Sequence, residues 1–174
     1  ERYWLMMLDS CQYDPENKIG GRIRKEMLLW MEKWLERARE EQVMVIPIAH
    51  HNLLKESTLY PEDCTLENAV QVIDLLEQYG LPVYISGHLH LQRVKKHGNG
   101  GPSQAEESYG IYEIVSDSMV IPPCQYGELR WQEDGSVQYE TCPVDVAGWA
   151  ASQGITDENL LNFPQYSGDF LIET

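Results

Sequence analysis

The 174-residue sequence has no apolar run of the roughly 18–20 residues that a bilayer-spanning helix needs. It also lacks a charged start followed by a short apolar core and a small-residue cleavage site. No membrane segment is therefore expected in this chain. There is no C-x-x-C pair: Cys11, Cys64, Cys124 and Cys142 are widely spaced, which argues against a zinc ribbon or a dithiol redox motif. Buried free thiols are the ordinary reading, with a disulfide open to an exported protein. Positive charge is scarce too. Thirteen Lys and Arg stand against twenty-eight Asp and Glu, a formal net charge of −15, and so acidic a surface repels nucleic-acid backbones and anionic lipid. An anionic small substrate is accepted only where local positive charge, such as a metal ion, overcomes that field. Internal repeats and low-complexity tracts are absent.

What is present is the composition of a folded domain, 43% hydrophobic and 24% charged. Tyr3 to Leu8 is a continuous apolar run that predicts a central parallel strand buried on both faces. After the turn-rich stretch Asp14, Pro15, Glu16, Asn17 and Gly20-Gly21, apolar residues recur at Ile23, Met27, Trp30, Met31, Trp34, Leu35 and Ala38. That is helical spacing, with the apolar stripe on a sheet and Arg24, Lys25, Glu32, Lys33, Glu36 and Arg37 in water. Val43 to Ile48 predicts a second buried strand. A second helix follows from an N-cap at Thr65, with Glu67 in its first turn, to a C-terminal cap at Gly80. Val83 to Ser86 predicts a third strand. Two consecutive crossover units of this kind build a parallel sheet.

Beyond the third strand the pattern changes. Arg93 to His97 is a short basic run, and Gly98 to Ser108 a polar loop. Tyr109 to Val115 and Met119 to Ile121 read as strands, and Asp134-Gly135 marks a hairpin turn between Leu129-Arg130-Trp131 and Val137-Gln138-Tyr139. From Pro143 the chain reads as helical, with Thr156 as a cap before Leu160 and Leu161. The expected organisation is therefore residues 1–142 as one portion and residues 143–174 as the start of a small helical extension.

Four of the five histidines sit in two pairs directly after predicted parallel strands. In an open parallel sheet, ligands bind beyond the carboxyl ends of the strands, so His50 and His51 after one strand and His88 and His90 after another share a rim and can converge. Neutral imidazole suits zinc, iron, nickel and copper, and added carboxylates favour manganese. His97, in a basic loop, reads as an ordinary polar side chain facing water.

Ala49-His50-His51-Asn52 after one strand and Gly87-His88-Leu89-His90 after the next resemble the calcineurin-like metallophosphoesterases. That family's ordered signature is D-x-H, G-D-x-x-D, G-N-H-D or G-N-H-E, a lone histidine after a strand, and G-H-x-H. The last two blocks stand here in order, with a crossover helix between. The resemblance implies an α/β fold of the calcineurin-like metallophosphoesterase type, with parallel or mixed sheets and flanking helices. It implies His50, His88 and His90 as metal ligands, His90 reaching a neighbouring ion. His51 is expected behind the ligands or facing substrate in a catalytic role, and Gly87 is expected to make the tight turn. Asp9 lies outside a D-x-H context and reads as structural, hydrogen-bonding backbone near the rim.

No D-x-H, G-D-x-x-D or G-N-H-D occurs in the sequence. With a start that is not methionine, this leads to the expectation that the chain is the C-terminal half of a phosphoesterase. The resemblance implies, for the intact protein, two divalent ions (Mn, Fe or Zn) activating hydroxide for attack on phosphorus, with at most partial occupancy in this chain. The substrate class implied is a small phosphate ester, and the pattern from Tyr126-Gly127 into the helical tail is most similar to bacterial phosphodiesterases of the cyclic-nucleotide type. This chain alone is expected to be poorly active or inactive. Two other readings remain open: a mononuclear three-histidine zinc hydrolase or lyase with Glu56, Asp63 or Asp117 as base, and a metal-free interaction domain.

Overall fold

The computed structural model describes residues 3–56, 62–97, 110–132, 134 and 136–173. The chain divides into two compact units, Glu1–Val115 and Ser116–Thr174. The first holds β1 (Tyr3–Leu8), α1 (Lys25–Glu40), β2 (Met44–Ala49), a single 3-10 turn at Glu62–Cys64, α2 (Ala69–Gln78), β3 (Val83–Ser86), β4 (Arg93–Lys96) and β5 (Tyr112–Val115). Its five strands form one mixed, mostly parallel sheet in the order β1-β2-β3-β5-β4.

Pairing is parallel from Tyr3↔Met44 to Leu8↔Ala49, at Ile48↔Ile85, and from Val83↔Tyr112 to Ser86↔Val115. Only β4 runs antiparallel, Arg93↔Val115 to Lys96↔Tyr112. The Arg93–Lys96 run, read from sequence only as a basic stretch, is thus a strand. Charged side chains suit its edge position, where Lys and Arg discourage further pairing.

α1 and α2 lay their buried stripes, Met31, Leu35 and Ala38, and Val72, Ile73 and Leu76, in one core with Met6, Leu8, Val45, Ala49 and Tyr84 of the strands. Full burial of each large aliphatic side chain contributes about 1.5–3 kcal/mol. Trp30 departs from the expected stripe and remains 42% exposed.

β1 corrects an expectation. It is an edge strand, and Tyr3, Leu5 and Met7 are exposed while Met6 and Leu8 are buried. A short, wholly apolar run carries no alternation that would distinguish an edge from a centre. Strands buried on both sides lie further in: Val45, Ile46 and Pro47 of β2 are all covered, as are Glu113, Ile114 and Val115 of β5.

Helix starts also differ from the sequence reading. α2 begins at Ala69 with Asn68, not Thr65, as its N-cap residue. The Asn68 side chain is used across the chain instead: Oδ1 accepts from Ile23 N–H (3.0 Å) and Nδ2 donates to Ile23 O (2.9 Å). At the other end Gly80 takes φ +65, and Leu81 N–H donates to Leu76 O (3.0 Å), the left-handed termination expected of glycine there.

The second unit contains β6 (Gln125–Trp131), β7 (Val137–Pro143), α3 (Val146–Ser152), α4 (Glu158–Leu161) and α5 (Phe163–Glu173). β6 and β7 pair antiparallel as a separate two-stranded sheet, from Gln125↔Pro143 to Trp131↔Val137. The expected turn residue Gly135, Tyr109 and the loop from Gly98 to Ser108 lie outside the described residues. Met119 to Ile121, expected as a strand, is a turn. Pro122 and Pro123 follow directly and offer no backbone donor for a ladder. α4 is capped by Asp157, whose side chain accepts from Asn159 and Leu160 N–H, one residue past the expected Thr156. All four cysteines are free, with Cys124 buried and Cys11 exposed. Among the described residues no helix is long and apolar enough to cross a membrane.

Candidate metal site at the ends of two parallel strands

β2 and β3 are parallel neighbours, so the segments that leave them, His50-His51-Asn52 and Gly87-His88, emerge on one edge of the sheet. Gly87 N–H donates to His50 O (3.0 Å), fixing the two exits side by side. His88 Nδ1 then lies 2.9 Å from His50 Nε2, one ring donating to the other, and the ring centroids are 4.7 Å apart. His51 completes the group, its ring 5.1 Å from that of His50 and 4.9 Å from that of His88.

The backbone that presents His88 is unusual. His88 has φ 68 and His90 φ 51, and Leu89 N–H donates to Gly87 O (2.8 Å) across His88, the rare positive-φ γ-turn. The strained positions are therefore the two histidines. Gly87, expected to make the turn, is not among the left-handed residues. Histidine is among the residues that tolerate this region better than most.

Burial, more than any other cause, holds the His50 and His88 imidazoles below their ordinary range. For His50 the neighbouring His51 and His90 add to this; for His88, His50, His51 and His90 do. Both rings are thereby favoured in the neutral form, the form that offers a lone pair to a cation.

His51 differs. It is 3% exposed, its Nε2 is 2.8 Å from Ile19 O and its Nδ1 is 2.8 Å from Ser10 Oγ. A carbonyl oxygen only accepts, so in the neutral ring the proton sits on Nε2 and Ser10 donates to Nδ1. Both nitrogens are satisfied from inside the protein. Gly21 packs flat against the ring: a Cβ there would stand 2.2 Å from His51 Cγ.

Below the rim lies a buried polar network that the sequence did not reveal. Glu113 of β5, fully buried, accepts from Leu53 N–H (2.8 Å) and Ser86 Oγ (2.6 Å) at Oε1, and from Leu54 N–H (2.6 Å) at Oε2. Asn52 Nδ2 donates to Ser86 Oγ (3.0 Å) and Gly87 O (3.2 Å), and Tyr84 OH donates to His51 O (3.1 Å). Burial raises the Glu113 carboxyl above its ordinary range, against the pull of Ser86 and the two N–H groups. The available signal was a glutamate inside an otherwise apolar strand, YEIV.

The other sequence candidates are placed as follows. Asp9 accepts from Cys11 N–H (3.1 Å), Tyr13 OH (2.8 Å) and Arg24 Nη2 (2.8 Å). Glu56 is buried with Arg93 Nε 2.9 Å from its Oε2; Asp63 is exposed; Asp117, in the second unit, accepts from Ser118 N–H (2.7 Å). His97 pairs with Glu77 at 2.9 Å.

In a tetrahedral site with metal–nitrogen bonds of about 2.0–2.1 Å, neighbouring ligand nitrogens are about 3.3 Å apart. The His50–His88 pair is within a small opening of that separation, so the donors fit a borderline cation as two ligands. Among the described residues the only trio of His, Cys, Asp or Glu whose ligand atoms all lie within 4.8 Å of one another is Glu128, Glu140 and Cys142 of the hairpin. His90 thus does not close a three-imidazole set with His50 and His88. In the hairpin trio Arg130 pairs with both Glu128 and Glu140, so one guanidinium already offsets part of their charge.

No protein-family model matches the chain, and no curated protein does. Solved structures with a similar chain path include a dimetal phosphatase from Danio rerio. It is 19% identical with a TM-score of 0.48, over 70% of this chain and 38% of that one. Another is a putative 5'-nucleotidase from Staphylococcus aureus, 14% identical with a TM-score of 0.45, over 96% of this chain and 31% of that one. The chain thus spans well under half the length of either structure.

Proposed function

We propose that this chain carries part of the catalytic domain of a metal-dependent phosphoesterase, with His50 and His88 as ligands of one divalent ion and His90 reaching a second. The observation that supports this reading is the 2.9 Å approach of two neutral-favoured imidazoles at the carboxyl ends of adjacent parallel strands. The identities of the blocks that carry them, A-H-H-N and G-H-L-H, add to it. When bound, Mn, Fe or Zn ions supply Lewis-acid activation of water and neutralise charge on phosphoryl oxygens. They also provide the local positive field that a chain of net charge −15 lacks for an anionic substrate.

The chain's own residues do the rest. His50 and His88 each offer one nitrogen lone pair. His51 keeps both nitrogens on Ser10 and Ile19 and acts as a positioning group that packs between the ligand rings and Gly21. The substrate is a small phosphate ester, and a phosphodiester of the cyclic-nucleotide kind is the finer proposal. The chain contains none of D-x-H, G-D-x-x-D and G-N-H-D, so by itself it holds metal only partially and turns over phosphodiesters weakly or not at all. A three-histidine zinc enzyme is less well supported, because His90 does not converge with the pair.

The test is cobalt(II) titration followed by visible absorption, with bis(p-nitrophenyl) phosphate hydrolysis in manganese alongside. Ligand-field bands that vanish in His50→Ala and His88→Ala are expected, with little turnover. Absence of any divalent-ion binding refutes the metal reading and favours the interaction-domain alternative. Robust turnover refutes the partial-site reading.

A further inference from the structure

We propose that Glu113 is the positioning residue that sets the spacing of the two histidine-bearing segments. It has no exposure and so touches neither solvent nor substrate. Its register on β5 puts it beside Tyr84 of β3 and Lys95 of β4, in the sheet rather than on the rim. What it holds is the rim.

Where the chain turns away from the end of β2, Leu53 and Leu54 N–H have left the ladder, and a buried backbone donor must find an acceptor. Glu113 takes one on each oxygen, at 2.8 and 2.6 Å, two successive amides converging on an anion. The same carboxylate accepts from Ser86 Oγ at 2.6 Å. Ser86 thereby spends its proton on Glu113, and its remaining capacity accepts Asn52 Nδ2. Asn52 reaches on to Gly87 O.

One carboxylate therefore anchors residues 52–54, which follow His50 and His51 directly, and residues 86–87, which precede His88. Gly87 N–H on His50 O is the final stitch. Without Glu113, two buried amides and the Ser86 hydroxyl lose their acceptor, and the two segments are free to settle at a different separation. His50 Nε2 and His88 Nδ1, at 2.9 Å, are the atoms that register the change. The inference rests on the proposed metal role of these histidines only for its consequence; the spacing itself is read without metal.

The experiment is imidazole nitrogen NMR on metal-free, 15N-histidine-labelled protein near pH 8, where the rings are neutral. The unmodified chain is expected to show one protonated and one unprotonated nitrogen joined by a coupling across the His50–His88 hydrogen bond. Glu113→Gln and Ser86→Ala are each expected to lose that coupling, while Ser86→Thr, which restores the hydroxyl, recovers it. Leu76→Ala, a truncation in the α2 core with no bond to the network, is expected to keep it, which separates positioning from general loosening.

If Glu113→Gln fails to fold, Ser86→Ala and its threonine rescue decide. The proposal is overturned if the unmodified chain shows no coupling, if folded Glu113→Gln or Ser86→Ala retains it, or if Leu76→Ala loses it to the same extent. Cobalt(II) titration of the same samples is the second readout. A loss of affinity of about 10–100-fold in Glu113→Gln and Ser86→Ala is the expected scale for a residue behind metal ligands. No cobalt binding by the unmodified chain defeats the metal reading alone, since the imidazole coupling still decides the role of Glu113.

Discussion

Gly21→Ala is a one-methyl substitution whose effect follows directly from the packing around His51. A Cβ at residue 21 would lie 2.2 Å from His51 Cγ, 2.4 Å from Nδ1 and 2.6 Å from Cβ, so one side must retreat by about 1 Å to reach ordinary contact. The backbone at Gly21 is held: its carbonyl accepts Glu67 N–H (2.9 Å), and the next residue, Arg22, donates to Ser10 O (2.9 Å). The imidazole must therefore move, and in moving it leaves Ser10 Oγ and Ile19 O. Two net hydrogen bonds are worth about 1 kcal/mol each, and forcing a methyl into a filled site costs about 1–3 kcal/mol. The expected destabilisation is about 3–5 kcal/mol.

Gly20→Ala is the internal control. Its Cβ would meet nothing nearer than Asp63 Oδ1 at 3.6 Å, an ordinary contact, so the change should stay within about 0.5 kcal/mol. Urea denaturation followed by tryptophan fluorescence measures both. A Gly21→Ala value within about 1 kcal/mol of the unmodified chain, or one matched by Gly20→Ala, rules out the clash with His51.

His90 holds a left-handed backbone, φ 51, on an exposed residue. His90→Gly should raise stability by about 0.5–1 kcal/mol, because strain of about 1–2 kcal/mol outweighs the extra unfolded-state freedom of glycine. Thermal melts check this, and a loss of stability contradicts it. Glu56 supplies a pH prediction. Its burial raises the carboxyl above the ordinary 4.5, with Lys95 and Arg93 pulling the other way. A raised folded-state value means that the stability it contributes is intact below the unfolded value and lost as pH rises through the folded one. Melting temperatures from about pH 4 to about pH 7 should therefore shift steadily in favour of Glu56→Gln relative to the unmodified chain; a constant difference or the opposite slope rules it out.

Some of this protein is written in short-range pattern. The 3.6-residue spacing of Met27, Met31, Leu35 and Ala38 and the apolar runs before His50 and Gly87 depend on neighbours a few residues apart. They are legible for that reason, and helix and strand formed where those patterns stand. The placement of histidines after parallel strands was legible too, since strand ends are local features. Caps were less so: Asn68 and Asp157, not Thr65 and Thr156, occupy the positions, and Asn68 is claimed by Ile23 from 45 residues away.

Local pattern alone carried the crossover order and the sheet edge from which the His50-His51 and His88 segments emerge. The edge place of β1, the pairing of Arg93–Lys96 with β5 and the separation of His90 from the His50–His88 pair came only with the folded sheet. It alone seated His51 on Ser10 and Ile19, 41 and 32 residues distant, and Glu113 under Leu53, 60 residues away. A periodic pattern states which face is buried. Which buried polar groups satisfy one another is settled only when the whole sheet has closed, because every unpaired amide or hydroxyl then has to take whatever acceptor the fold has brought within reach.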